Sequence, residues 1–132
     1  MKNKVPSSLL RKIGFIKGNL PVSTSIPNSK YKKIIRDFRW AKGFLIEAGF
    51  KSDGASVPRI GWGITYPPNH PKVSRAAWIH DYLYTTHEVD KHTADQIFRD
   101  ICILDGGIVR AQIMYRMLRM FGKKAWNKGG KN

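Results

Sequence analysis

The sequence predicts an α+β protein: a small antiparallel sheet in the N-terminal half packed on a three-helix unit in the C-terminal half. Three observations carry this expectation. Residues 31–51 are rich in β-formers interrupted by glycine, residues 73–122 repeat apolar side chains at helical spacing, and a stretch with turn signals and prolines separates the two. A chain of 132 residues that is 42% hydrophobic suits one domain with one core.

Pro6, Gly14, Gly18, Pro21 and Pro27 punctuate residues 1–30, which favours an extended basic arm or short edge strands over a helix. From Tyr31 to Lys51, the groups Ile34-Ile35, Phe38, Trp40, Phe44-Leu45-Ile46 and Phe50 predict two or three strands, and the sheet region extends to about residue 58. Asp53-Gly54 signals a turn, and the chain then crosses Gly61-Trp62-Gly63 and Tyr66-Pro67-Pro68. The first helix is expected from Val73 to about Thr86, with Ser74 as N-cap and Ala76, Ile79 and Leu83 on its apolar face. The second runs from Asp90 or Lys91 to Leu104, with Ala94, Ile97, Phe98 and Ile101 inward. Gly106-Gly107 separates it from a third, Ile108 to Phe121, which is expected to bury Ala111, Met114 or Tyr115, Leu118 and Phe121. The methionines at 114, 117 and 120 read as core filler, and residues 123–132 as a basic tail.

The formal net charge is +15, and it is unevenly spread. Residues 1–51 hold 12 Lys and Arg against 2 acids, residues 52–109 hold 5 against 7, and residues 110–132 hold 7 against none. Basic ends of this kind suit a polyanionic partner: a nucleic acid, an anionic membrane surface, a teichoic or lipopolysaccharide layer, or an acidic protein. Arg116, Arg119 and Lys123 fall at i, i+3 and i+7 and continue into Lys124, forming the expected anion- or partner-binding stripe. No apolar run is long enough to span a bilayer. Arg11, Lys12 and Lys17 interrupt any apolar signal region, so no signal peptide is expected and the chain is expected to begin near Met1, inside the cell that makes it. The single cysteine, Cys102, cannot form an intramolecular disulfide and is expected to be a buried apolar residue.

Reactive side chains stand in an ordered relation at one place. His80 and Asp95 lie about equally far from a turn near His87 and Glu88, so an antiparallel helix pair would bring them face to face. A carboxylate that accepts from one imidazole nitrogen fixes the tautomer and leaves the other as a base. The same pair equally reads as a satisfied buried contact that sets helix register. In the chemical reading His80 is the base, Asp95 orients it, Tyr84 assists, and Asp81 with the backbone of Gly61 and Gly63 holds a hard cation such as calcium. Asp53 and Ser56, on the turn leading into that loop, join the same polar hub.

A glycine-containing loop before His80-Asp81 with Tyr84, and a second aspartate at Asp95, resembles the helix pair of secreted and parvoviral phospholipases A2. That resemblance implies a metal-assisted hydrolase of lipid or cell-envelope esters. A longer set of motifs comprises Gly49 to Pro58, Pro67-Pro68, Ser74 to Tyr84, Ala94 to Phe98 and Met114-Tyr115-Arg116. Together, over about residues 44–126, they resemble the phage and prophage family called domain of unknown function 1353. This second resemblance implies a phage-encoded protein, sometimes labelled a tail component, and no established activity. Joined to the basic ends, it leads to the expectation of a virion-associated structural component, in the tail or acting as the phage enters its host, located in the virion or host cytoplasm and docked to an acidic virion protein or nucleic acid. A basic nucleic-acid-binding accessory protein is the remaining alternative.

Overall fold

The structure is a computed structural model that describes residues 7–52 and 70–130. The chain forms two compact units, Met1–Asp53 and Gly54–Asn132. The fold is α+β: among the described residues, the antiparallel sheets lie in the first unit and the packed helices in the second.

The first unit opens with a helix, α1 (Ser8–Ile13), where an extended arm was expected. Local capping explains the difference. The Ser7 side chain accepts from the Leu10 amide, and Gly14, at φ 74, ends the helix in the left-handed conformation while its N–H bonds back to Arg11. The glycine that suggested interruption is thus the helix stop, and Leu10 is buried.

Five short strands follow among the described residues: β1 (Ser23–Ser25), β2 (Lys32–Ile34), β3 (Phe38–Ala41), β4 (Phe44–Ile46) and β5 (Lys51–Ser52). They form two antiparallel sheets rather than one, a three-stranded sheet in the order β1-β2-β5 and a β3-β4 hairpin. The hairpin pairs Phe38 with Ile46 and Ala41 with Phe44, with a register shift between Arg39 and Ala41. Consecutive Trp40 and Ala41 are therefore both buried, where strict alternation would expose one. Phe15, Ile34, Phe38 and Ile46 complete the apolar interior of this unit.

The second unit contains α2 (Pro71–Thr86), α3 (Lys91–Gly106), α4 (Ile108–Phe121) and α5 (Lys123–Lys128). The first three match the expected three-helix unit. The start of α2 is earlier than expected, because the His70 side chain, rather than Ser74, accepts from the Lys72 amide and Pro71 occupies the first turn. The expected apolar faces of α2 and α3 are buried throughout: Ala76, Ile79 and Leu83 on one, Ala94, Ile97, Phe98 and Ile101 on the other. Cys102 is buried beside them, and burial, followed by the Asp105 charge, pushes its thiol well above the ordinary range. On α4, Ala111, Met114 and Leu118 face inward, but Phe121 and Met120 do not. Phe121 is the last residue of the helix, one turn beyond the buried Leu118, so the periodic pattern overran the contact surface.

The turn between α2 and α3 is organised by His87, which adopts φ 56 and closes α2 by donating its amide to Leu83. Its ring stacks on Trp126 at 3.6 Å between centroids, and Nε2 donates to the Trp126 carbonyl at 2.9 Å. The basic tail thus contains a helical turn, α5, folded back on the end of α2, with the Gly130 amide bonded to the Thr85 carbonyl. A Cβ at Gly129 would overlap the Tyr84 carbonyl oxygen. Gly129→Ala should therefore destabilise the protein by about 1–3 kcal/mol, as overpacking does, whereas Gly18→Ala should change it by less than about 0.5 kcal/mol. Denaturant unfolding of the two variants checks this contrast.

Candidate functional site

The side chains of α2, α3 and α4 converge on one carboxylate. Asp95, on α3, has 0% exposed surface, as does His80 on α2. His80 Nε2 lies 2.8 Å from Asp95 Oδ1, and the Tyr84 hydroxyl donates to the same oxygen at 2.6 Å. On the other carboxylate oxygen, Oδ2, Lys91 Nζ donates at 2.9 Å and Arg119 Nη1 at 3.0 Å. Lys91 also donates to the Leu118 carbonyl at 3.0 Å, on the last turn of α4.

The local sequence explains this convergence. His80 and Tyr84 are i and i+4 on α2, one turn apart on the same face, and their rings are 4.0 Å apart. Lys91 and Asp95 hold the same spacing on α3. The αL turn at His87 reverses the chain so that the two faces meet, and α4 then brings Arg119 to the open side of the carboxylate. Phe98 stands edge-on to the His80 ring at 5.1 Å, and Trp126 packs edge-on against Tyr84 at 5.2 Å. Gly122 leaves room for the Tyr84 hydroxyl, which a Cβ there would crowd at 2.7 Å.

Burial by itself raises the Asp95 carboxyl, but the hydrogen bond and charge of His80, with the hydrogen bonds of Tyr84 and Lys91, outweigh it. The group is held at about 2, against 3.8 for the unperturbed side chain. Asp95 is therefore a carboxylate at neutral pH and can only accept, so His80 Nε2 carries a proton and donates. In a neutral ring this makes Nδ1 the acceptor nitrogen. Burial, then the Asp95 charge, drives the Tyr84 phenol far above its ordinary range, so its hydroxyl is fixed as a donor.

Of the residues expected at the site, His80, Asp95 and Tyr84 come together as the antiparallel pairing implies. Arg119, expected on an outward basic stripe, is exposed like Arg116, Lys123 and Lys124, but its guanidinium reaches Asp95. Asp81 is half-buried on α2. Gly61 and Gly63, assigned to a calcium loop, and Asp53 and Ser56, assigned to the hub, lie outside the described residues. Among the described residues no group of three or more His, Cys, Asp or Glu side chains is placed to hold a metal ion.

Three features have no counterpart in the sequence reading. The first is the role of Lys91, for which the i, i+4 spacing to Asp95 was a usable signal. The second is a paired contact between Arg75 and Asp105, Nη2 to Oδ1 at 2.7 Å and Nε to Oδ2 at 3.1 Å, which ties the start of α2 to the end of α3. The third is the stack of His87 on Trp126, which no local spacing announces.

A family model matches residues 31–118 and is described as a protein of unknown function, DUF1353. The chain belongs to this family. The matched span holds both sheets except β1, and holds His80, Tyr84, Lys91 and Asp95, while Arg119 and α5 lie beyond its end. No curated protein and no solved structure matches the chain.

Because the Asp95 carboxyl is held below its unfolded value of 3.8, its contribution to stability is complete above that pH and is lost as pH falls through about 2. The shift corresponds to roughly 2 kcal/mol. Asp95→Asn should remove this acid-sensitive component from a stability profile measured between neutral pH and pH 2. At neutral pH the same variant should lose about 3–5 kcal/mol, because two cations and a histidine keep their positions without their carboxylate.

Proposed function

We propose that the protein is a virion-associated structural component of a bacteriophage, in the tail or acting as the phage enters its host. In this reading the polar hub sets the architecture and the basic surfaces dock the protein to an acidic partner. The observation that carries the proposal is the complete burial of His80 and Asp95. A general base must approach its substrate to about 3 Å. A histidine without exposed surface, joined to a carboxylate that already accepts from four donors, is better suited to fixing three helices in register. The phage setting comes from the sequence resemblance and is part of the proposal, as is a location in the virion or host cytoplasm. No helix among the described residues is long and apolar enough to cross a membrane.

A second reading, a calcium- or other metal-assisted hydrolase using His80, has one observation in its favour. The 2.8 Å contact with Asp95 orients the imidazole as a base-orienting dyad would. It requires a route by which substrate reaches a fully buried ring.

Antibody detection in purified phage particles tests the first reading: the protein should co-purify with intact virions, and its absence from them would overturn the assignment. Turnover of phospholipid vesicles that needs calcium and disappears in a folded His80→Gln variant would instead establish the hydrolase. No turnover in wild type, with or without calcium or chelator, is the expected result.

A further inference from the structure

The outer face of α4 has a composition that its core-facing role does not explain. Val109, Ile113, Met117 and Met120 recur at i, i+4, i+8 and i+11, on the side of the helix away from the buried Ala111, Met114 and Leu118. Val109 is 69% exposed and Met120 70%, with Ile108 at 59% and Phe121 at 50% at the two ends of the helix. Ile113 and Met117 are half-buried between them. Exposed apolar side chains gathered on one helix face are unusual for a surface that meets only water. Cations border the ridge. Arg116 lies within it, Arg110 to one side, and Lys123, Lys124 and Lys128 continue from its end along α5. No acidic residue occurs after Asp105.

We propose that this face of α4, with the lysines of α5, docks on an anionic lipid bilayer, lying flat so that Val109, Met120 and their neighbours enter the acyl boundary. Arg116, Lys123 and Lys124 meet lipid phosphates in this arrangement. The pairing of protruding apolar groups with flanking cations and no acid is the composition of an interfacial helix. Charge complementarity selects this occupant. A second copy of the chain would bring two acid-free cationic faces together, and a nucleic-acid backbone offers nothing to the apolar side chains. A protein groove would have to enclose a helix whose other face is already packed against α3. A bilayer accepts a convex ridge without enclosing it. At 14 residues α4 is about 21 Å long, enough for several lipid contacts while lying in the plane.

The inference rests on the docking reading of the basic ends and names the partner for one of them. Flotation of the full-length protein with vesicles of phosphatidylcholine alone, or mixed with phosphatidylglycerol, tests it. Binding should require the anionic lipid. It should fall by roughly a hundredfold in Arg116→Gln/Lys123→Gln/Lys124→Gln, which keeps the apolar ridge. It should fall by about tenfold or more in Val109→Gln/Met120→Gln, which keeps every charge. Both variants alter exposed positions, so their thermal unfolding should match wild type and serves as the folding control. Absence of vesicle binding, or binding that is unchanged in the Val109→Gln/Met120→Gln variant, would overturn the proposal. So would a dimer that forms in place of vesicle binding and disappears in that variant, which would assign the face to a second copy. Particle incorporation of the same variants separates the two readings. Incorporation without vesicle binding removes only the bilayer proposal, and vesicle binding by a protein absent from particles removes only the virion assignment.

Discussion

An ionised carboxylate withdrawn from water is stable only when hydrogen bonds and opposite charge replace its hydration, and in this protein that requirement organises the helical unit. Asp95 is fully buried, and the groups that satisfy it come from α2, α3 and α4. Displacing any one of these helices leaves either a buried anion short of donors or a donor facing apolar packing, each costing about 1–3 kcal/mol or more. The apolar faces of the helices tolerate small slips because burial is non-directional. The hub does not, and it therefore converts a collapsed helical bundle into one with a single register. Arg75 with Asp105 repeats the device where α2 begins and α3 ends, so the antiparallel pair is fixed at two points along its length.

The hub also divides the basic residues of the helical unit into two kinds of charge. Arg119 and Lys91 are directed at Asp95 and serve internal neutralisation. Arg116 and the lysines of α5 have no such task in the hub and lie on the surface. A charge stripe inferred from spacing alone contains both kinds, because i, i+3 and i+7 specify a broad face and not the direction in which a long side chain reaches. The same helix carries two apolar faces, one buried and one exposed, and this is why methionine spacing by itself misassigned Met120 to the core.

Much of the helical unit was legible because its determinants are local or follow from simple reversal. Apolar residues at helical spacing located α2, α3 and α4, and the equal distance of His80 and Asp95 from the His87 turn implied their contact. The start of α2 was misplaced because a histidine before a proline capped it, and histidine is a weak capping signal beside a nearby serine. Helix α1 was missed because a six-residue helix has too little periodicity to outweigh the surrounding glycines and prolines, although its Ser7 and Gly14 caps were present in the sequence. Strand content was recognised while the division into two sheets was not, since hydrogen-bond partners between strands are not encoded in a run of β-formers.

By itself, the sequence determined the α+β class, the three principal helices, the family and the meeting of His80 with Asp95. Periodicity and chain reversal are properties of short segments, and family membership is a property of motif order. Tertiary structure decided the rest of the hub: that Lys91 and Arg119 complete the carboxylate's shell, that Tyr84 shares an oxygen with His80, and that the pair is buried. Each depends on how distant side chains share one small volume, and solvent exposure is a property of the packed assembly that no local spacing records.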